Sequence, residues 1–218
     1  WPKYAGKAFI ISDDGSRKIG GVENKELPFE ERTSRGLWVD GAVSLPHSGK
    51  DGCFVASYYF PNYHFGDARN EKQKGPGWSE WEVVKAAKPR FEGQHQPRIP
   101  AWGYTDESDP KQMAQKIDAA ADYGIDAFIF DWYYYEDGLF LERGLEQGFM
   151  KAPNANRLKF GLMWANHDWL DIHPWKYKEQ DRWKTLYRGE LSPEAFDRMC
   201  DYIVETYFKH PSYWCIEG

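Results

Sequence analysis

Short, nearly continuous apolar runs alternate along the chain with longer stretches in which apolar residues recur at helical spacing. A continuous apolar run of this length is typical of a strand buried on both faces. Three such runs are found, at residues 53–60 (CFVASYYF), 125–132 (IDAFIFDW) and 158–165 (LKFGLMWA). The pattern therefore predicts three buried strands.

The stretches between and after these runs predict helices, each bounded by residues that cap or stop a helix, such as Asp109-Pro110 and Gly124. The expected elements are helices over residues 79–87, 109–124, 138–150 and 192–210, and a fourth strand over residues 212–216. The expected apolar stripes are Met113, Ile117, Ala120 and Ala121; then Leu141, Leu145 and Phe149; then Phe196, Met199, Cys200, Ile203 and Tyr207.

Strands that alternate with helices favour parallel βαβ units with right-handed crossovers. A (β/α)8 barrel typically needs about 250 residues, so four units make half of one. A doubly wound nucleotide-binding sheet would show a Gly-rich turn after its first strand, and residues 58–64 (YYFPNYH) contain no glycine. We therefore expect the first four units of a TIM-type α/β barrel over residues 51–218. Residues 1–50 are expected to be a β-like lead-in, or the end of a preceding region.

Composition narrows the class of protein further. Aromatic residues make up 17% of the chain, with 11 Trp, 14 Tyr and 13 Phe, so the core is expected to be aromatic. The net charge of −6 lacks the basic stripe of a nucleic-acid-binding protein. No apolar run reaches the roughly 20 residues of a membrane span. We expect neither nucleic acid nor a membrane span.

Three cysteines, Cys53, Cys200 and Cys215, are too few for a disulfide framework and lack CxxC spacing. We expect small core residues, and leave open one Cys200–Cys215 bridge. The first residue is Trp1, and no signal-like segment follows it, which predicts a processed form or a piece of a longer protein. The compartment and the oligomeric state stay open, with a periplasmic or extracellular location favoured.

Aromatic and polar side chains concentrate where the predicted strands end, which is where barrels place their functional residues. The three segments are residues 58–64 (YYFPNYH), 131–136 (DWYYYE) and 164–169 (WANHDW). A sugar ring offers C–H patches to aromatic faces and hydroxyls to amide, imidazole and carboxylate groups. Nucleotide phosphates would instead require glycine-rich backbone and basic side chains. The pattern favours a carbohydrate ligand.

Each of these residues also has an ordinary structural interpretation. A Trp or Tyr near a strand end also packs in a core, and Asp131 also fits a salt bridge beneath the site. His167 also fits a structural histidine, and Glu80 a solvated charge on a loop helix. These alternatives remain open at the level of sequence.

Catalytic and metal-binding signals are weaker. A metal site would require His64, Asp131, His167 and Asp168 to converge, and no HxH or HExxH spacing supports it. We expect neither a metal nor a cofactor. No GxSxG motif is present, and glycoside cleavage would use a pair of carboxylates. The candidates within the chain are Asp131, Glu136 and Asp168.

Taken in order, several motifs resemble the glycoside hydrolase family 99-like group. This group includes WbsX-like proteins encoded with polysaccharide genes and is related to endo-α-1,2-mannosidases and mannanases. The motifs are YYFPNYH, GWSEWEVVKAAKPRFEGQHQPRIP, DPKQMAQKIDAAADYGIDAFIFDWYYYE, FLERGLEQGF and RLKFGLMWANHDW. The resemblance covers residues 58–169.

The resemblance implies a (β/α)8 barrel that acts on glycans, with two catalytic glutamates on late strands that follow this segment. It implies a substrate-binding role for the matching positions Tyr59, His64, Trp78, Glu80, Trp81, Asp131, Trp132, Tyr133, Trp164, Asn166 and Trp169. His167 and Asp168 are added as substrate-binding candidates because these polar residues lie between two tryptophans. At His167, WbsX-like relatives often carry Glu, so a carboxylate role there passes to Asp168.

Our leading hypothesis is a glycosidase whose cleft is partly lined by this segment, with α-mannosidic bonds as the candidate linkage. The alternative is a non-catalytic protein that binds glycans or assists polysaccharide assembly. A glycosyltransferase is a third option. No DxD-type motif for a sugar nucleotide supports it, since Asp13-Asp14 lies in the lead-in.

Overall fold

The computed structural model describes residues 54–172 and 184–215. The expected lead-in over residues 1–50, and Cys53, lie outside the described residues. Six strands are described: β1 (Ala56–Tyr59), β2 (Ala127–Tyr135), β3 (Gly138–Phe140), β4 (Lys159–Trp164), β5 (Trp169–Leu170) and β6 (Thr185–Tyr187). The α-helices are α1 (Ala68–Lys74), α2 (Trp81–Lys85), α3 (Pro110–Asp122) and α4 (Pro193–Ile203). Shorter helical segments are Gly144–Phe149, Ala155–Arg157 and Val204–Phe208.

The parallel strands lie in the order in which they occur along the chain. β1 pairs in parallel with β2, and β2 pairs in parallel with β4. A further parallel bridge joins Phe160 of β4 to Tyr213, at the place where the fourth strand is expected. A doubly wound sheet reverses its strand order, whereas a barrel keeps the chain order. The expected fold class, the first units of a singly wound α/β barrel, is confirmed.

Alternation along the strands separates two layers of side chains. Phe128, Phe130, Trp132 and Tyr134 of β2 pack with Met113, Ile117 and Met199 of α3 and α4, together with Phe149 and Phe160. Tyr133 and Tyr135 belong to a second cluster, with Phe140 and Leu141. Because successive strand side chains point to opposite faces, one face of β2 forms the core beneath the helices. The other face, with Asp131 and Tyr133, is turned toward the inside of the barrel.

The helix expected over residues 138–150 is wrong in its first part. Residues Gly138–Phe140 instead pair antiparallel with Tyr133–Tyr135 as a hairpin. Gly138 has a φ of 115°, which suits the turn into β3. Only Gly144–Phe149 is helical, as a π-helix. Leu141, Leu145 and Phe149 are buried as expected, but Leu141 packs with Tyr133 and Phe140, whereas Leu145 and Phe149 pack in the core beneath the helices.

The last helix begins as its sequence predicts. Ser192 caps α4 by accepting a hydrogen bond from the backbone of Ala195, and Glu136 accepts hydrogen bonds from the Ser192 N–H and hydroxyl at 2.8 and 2.7 Å. Met199 and Tyr207 are buried, but Phe196, expected in the buried stripe, is 44% exposed. Its ring instead contacts the Trp164 ring, with the two ring centroids 6.1 Å apart.

Cys200 and Cys215 are both free, so the bridge left open by the sequence does not form. Cys200 is half-buried and packs against the core, whereas Cys215 is exposed, which corrects the expectation of a core residue for Cys215. Among the described helices, none is long and apolar enough to span a membrane.

Candidate functional site

A cleft of about 560 Å³ opens on the inward face of the sheet, within the size range of ligand sites. Phe60 reaches it from the end of β1, and Asp131 and Tyr133 from β2. The full lining is Phe60, Glu80, Asp131, Tyr133, His167, Asp168, Trp169, Leu170 and Ile172. Three aromatic rings, three carboxylates and one imidazole therefore meet in one concave surface.

The aromatic wall of the cleft is rigid. The Tyr133 ring packs edge to face against three other rings. The centroid distances are 5.8 Å to His167, 5.3 Å to Trp169 and 6.4 Å to Phe60. Behind them, Phe140 packs edge-on against Trp169 at 4.9 Å. Edge-to-face packing fixes the rings relative to one another, so the cleft offers preformed apolar faces.

Asp131 is a cleft carboxylate with one buried oxygen atom. Its Oδ1 atom is buried and has no hydrogen-bond partner among the described residues. Burial raises the pKa of Asp131, and the charge of His167 opposes this effect. Burial, followed by the charge of Asp131, raises the pKa of Tyr133 as well.

Glu80 and Asp168 are held from outside the cleft. Glu80 accepts a hydrogen bond of 2.6 Å from the buried Asn62 amide. Asp168 accepts one of 2.9 Å from the backbone N–H of Gly189. The antiparallel pair of β5 and β6, in which Trp169 pairs with Tyr187, lies beside Asp168. Both carboxylates are therefore oriented before any ligand binds.

Six of the thirteen residues expected to bind substrate come together in the cleft: Glu80, Asp131, Tyr133, His167, Asp168 and Trp169. Sequence reasoning missed Phe60, which is apolar and sits between Tyr59 and Pro61. The alternation of β1 is the signal that points to it, because Phe60 follows Tyr59 on the opposite face of the strand.

Three expected substrate contacts lie on the other face of the sheet. Tyr59, Trp132 and Trp164 belong to the core beneath the helices. The Trp132 indole donates a hydrogen bond of 2.9 Å to the Tyr207 hydroxyl. The expectation for these three is corrected, because each has the wrong strand parity to reach the cleft.

Four further expected contacts do not line this cleft either. His64 is fully buried, and its Nδ1 lies 2.8 Å from the Pro61 carbonyl oxygen. Trp81 donates a hydrogen bond of 2.7 Å to the Thr105 carbonyl. Trp78 lines an adjoining small cavity of about 20 Å³, enough for one water, which shares Trp169, Leu170 and Ile172 with the cleft. Asn166 is exposed, next to the cleft segment.

Two acidic residues have roles that differ from, or were absent in, the sequence analysis. Glu136, a catalytic candidate, lies outside the cleft and supports the cap of α4. Glu107, which no motif indicated, is 3% exposed and accepts hydrogen bonds from Tyr59 and Lys116, both at 2.6 Å. Within the described residues, no group of three or more His, Cys, Asp and Glu side chains is arranged to hold a metal ion.

Comparison with known proteins places most of the chain in one family. The family model described as Glycosyltransferase WbsX matches residues 55–218. Two curated relatives, both called uncharacterized protein WxcX, from two strains of Xanthomonas campestris pv. campestris, are 34% identical over 116 residues. The match covers 53% of this chain and 16% of each relative, so the chain spans a small part of their length. The family match confirms the resemblance to WbsX-like proteins.

Two solved structures are also similar to the chain. Both are of the GH99 endo-alpha-mannosidase from Bacteroides thetaiotaomicron, one of them in complex with bis-tris-propane. Each is 17% identical and covers 75% of this chain, with TM-scores of 0.40 and 0.41. The chain covers 39% and 42% of those structures.

Proposed function

This chain belongs to the WbsX family, and we propose that it forms one wall of the carbohydrate-binding cleft of a glycoside hydrolase. The observation that carries the proposal is the meeting of Tyr133, Trp169 and Phe60 with Asp131, His167 and Asp168 in one cleft. Flat aromatic faces cover the C–H patches of a sugar ring, and the carboxylates accept hydrogen bonds from its hydroxyl groups. The acid and base that cleave the bond are proposed to lie on strands that follow residue 218.

The family description names a glycosyltransferase, and transfer from a sugar nucleotide would require the cleft to hold a diphosphate. Phosphate binding uses helix N-termini, Arg and Lys. The described lining of the cleft contains Glu80, Asp131 and Asp168 and no Lys or Arg. This charge favours a glycan over a sugar nucleotide.

The direct test is a screen of the full-length protein against α-mannan and other neutral α-linked polysaccharides, with released oligosaccharides as the readout. Release of oligosaccharides supports the hydrolase. Tight binding without release supports the alternative, a protein that binds glycans or assists polysaccharide assembly. Transfer of sugar from a sugar nucleotide, without hydrolysis, would overturn the proposal.

A charge preference follows from the same lining. We expect a neutral mannan oligosaccharide to bind the full-length protein roughly tenfold more tightly than a uronic acid oligosaccharide of equal length, because three carboxylates repel an anion. Isothermal titration calorimetry at low salt measures both affinities. Asp168→Asn removes one negative charge and should reduce the ratio of the affinity for the neutral oligosaccharide to that for the uronic acid oligosaccharide. Equal affinity of the unsubstituted protein for the two ligands would contradict the proposed position of the glycan.

A further inference from the structure

The segment that carries His167 and Asp168 rests against a single buried glycine. Gly189 follows β6, and its N–H donates to Asp168 Oδ1 at 2.9 Å. A Cβ atom at Gly189 would lie 2.5 Å from the Asn166 carbonyl oxygen and 2.7 Å from the His167 carbonyl carbon. These are backbone atoms, so no change of rotamer relieves the contact.

Space, and not backbone conformation, requires glycine at this position. The φ of Gly189 lies outside the left-handed region, unlike that of Gly138. The neighbouring contacts hold the same segment from other sides. The Tyr135 hydroxyl lies 3.5 Å from the His167 carbonyl oxygen, and Trp169 pairs with Tyr187.

We infer that Gly189 is a positioning residue of the cleft: its missing side chain and its N–H together fix His167 and Asp168 at the cleft wall. Gly189 does not itself line the cleft, so it acts through these two neighbours. The inference rests on the proposed carbohydrate-binding role. A misplacement of about 1 Å at a site of this kind can cost up to a hundredfold in rate, so a single methyl group is enough to disturb it.

The test is Gly189→Ala in the full-length protein. We expect the affinity for a neutral oligosaccharide to fall at least about tenfold, and a crystal structure to show the backbone of Asn166 and His167 displaced. Gly161→Ala is the matched control, because a Cβ at Gly161 would meet only Trp214 Cε3, at 4.0 Å. The control should keep both the affinity and the backbone of the parent protein.

A double-mutant cycle separates positioning from a general loss of structure. In a background that carries His167→Ala and Asp168→Ala, Gly189→Ala should change the affinity less than about twofold, because the groups it positions are gone. Equal losses in both backgrounds would overturn the positioning role.

Failure of this inference is distinguishable from failure of the proposed function. If the parent protein binds and cleaves glycans, and Gly189→Ala binds them equally well, the positioning role is overturned and the hydrolase stands. If the parent binds no glycan, the proposed function fails. The crystal structure of Gly189→Ala then decides: an undisplaced backbone at Asn166 and His167 overturns the inference, and a displaced one supports it.

Discussion

Replacing Glu107 by alanine is expected to lower the free energy of unfolding of this α/β unit by about 3–5 kcal/mol, the usual cost of removing one partner of a buried ion pair. Glu107 is 3% exposed and forms a salt bridge of 2.6 Å with Lys116. The same carboxylate accepts hydrogen bonds from the Tyr59 hydroxyl at 2.6 Å and from the Tyr63 N–H at 3.0 Å. Alanine removes this acceptor from all three donors, and Lys116 keeps only its hydrogen bond of 3.2 Å to the Tyr59 hydroxyl.

The segment around Glu107 has no room to repack. Its N–H donates to the Tyr63 carbonyl at 3.1 Å, and its own carbonyl oxygen would lie only 1.9 Å from a Cβ atom at Gly148. Burial and the charge of Glu107 also raise the pKa of Tyr59, so the tyrosine stays a neutral donor. The loop after β1 therefore contacts the carboxylate of Glu107, and the π-helix packs against its backbone carbonyl.

Hydrogen exchange of the full-length protein measures this loss locally, because protected amides report the free energy of opening. The matched control is Glu82→Ala, which removes the exposed Glu82–Lys85 pair and should cost about 0–1 kcal/mol. Equal protection of residues 107–149 in both variants would show that Glu107 does not stabilise the fold.

Replacing Asp131 by asparagine is expected to weaken oligosaccharide affinity or turnover by roughly ten- to hundredfold. Asp131 lines the cleft, and a hydrogen bond from a ligand to a charged group contributes about 1.5–3 kcal/mol. Asparagine keeps the size of the side chain, so the loss reports charge and hydrogen bonding. The measurement is kcat/KM, or Kd if the protein binds without hydrolysis.

The same substitution should not destabilise the fold. Burial raises the pKa of Asp131, so its charged form is disfavoured in the folded protein. A raised carboxyl pKa costs stability once the pH exceeds the unfolded pKa, and the cost disappears at lower pH. At neutral pH, Asp131→Asn should keep or raise the Tm, and the difference should vanish below about pH 4.

Asp137→Asn is the control, because Asp137 is 70% exposed and pairs with Arg69 outside the cleft. It should leave affinity and turnover unchanged. If Asp131→Asn also leaves them unchanged, Asp131 is a structural residue, and the proposed cleft lacks its central polar group. If it lowers the Tm instead, Asp131 has a stabilising partner in the whole protein.

Much of the fold follows from local pattern. The helix begun by Asp109 and Pro110 and stopped at Gly124 is confirmed, because caps and stripe agree over thirteen residues. The strand runs are confirmed within a few residues. Residues 138–150 fail, because apolar spacing alone does not reveal that Gly138–Phe140 finds its hydrogen bonds on the end of β2.

The site was predicted less fully, because the sequence analysis did not determine which face of β2 each side chain lies on. The motif DWYYYE correctly locates the C-terminal end of β2. Because the strand was treated as buried on both faces, the sequence analysis did not separate the residues of one face from those of the other. The contacts of Trp132 with the helices settle the question. Asp131 and Tyr133 then fall together on the inward face, and Trp132 is removed from the set.

Other contributors could not be found from sequence. Glu107 is polar and lies in a loop. Its contribution to stability comes from contacts with Tyr59 and Lys116, which are 48 and 9 residues away in the chain. Gly189 resembles any loop glycine until the close approach of Asn166 and His167 is known. Both depend on long-range contacts that no local pattern encodes.

The alternation within β2 makes the chain sensitive to length changes in one short segment. Within residues 127–135, alternate side chains have different roles: one set packs against the helices, and the other faces the cleft. A one-residue deletion before Asp131 would turn each side chain to the opposite face, bringing a carboxylate beneath the helices and Trp132 into the cleft. Insertions and deletions within β2 should therefore abolish folding and function together, whereas point substitutions can separate them.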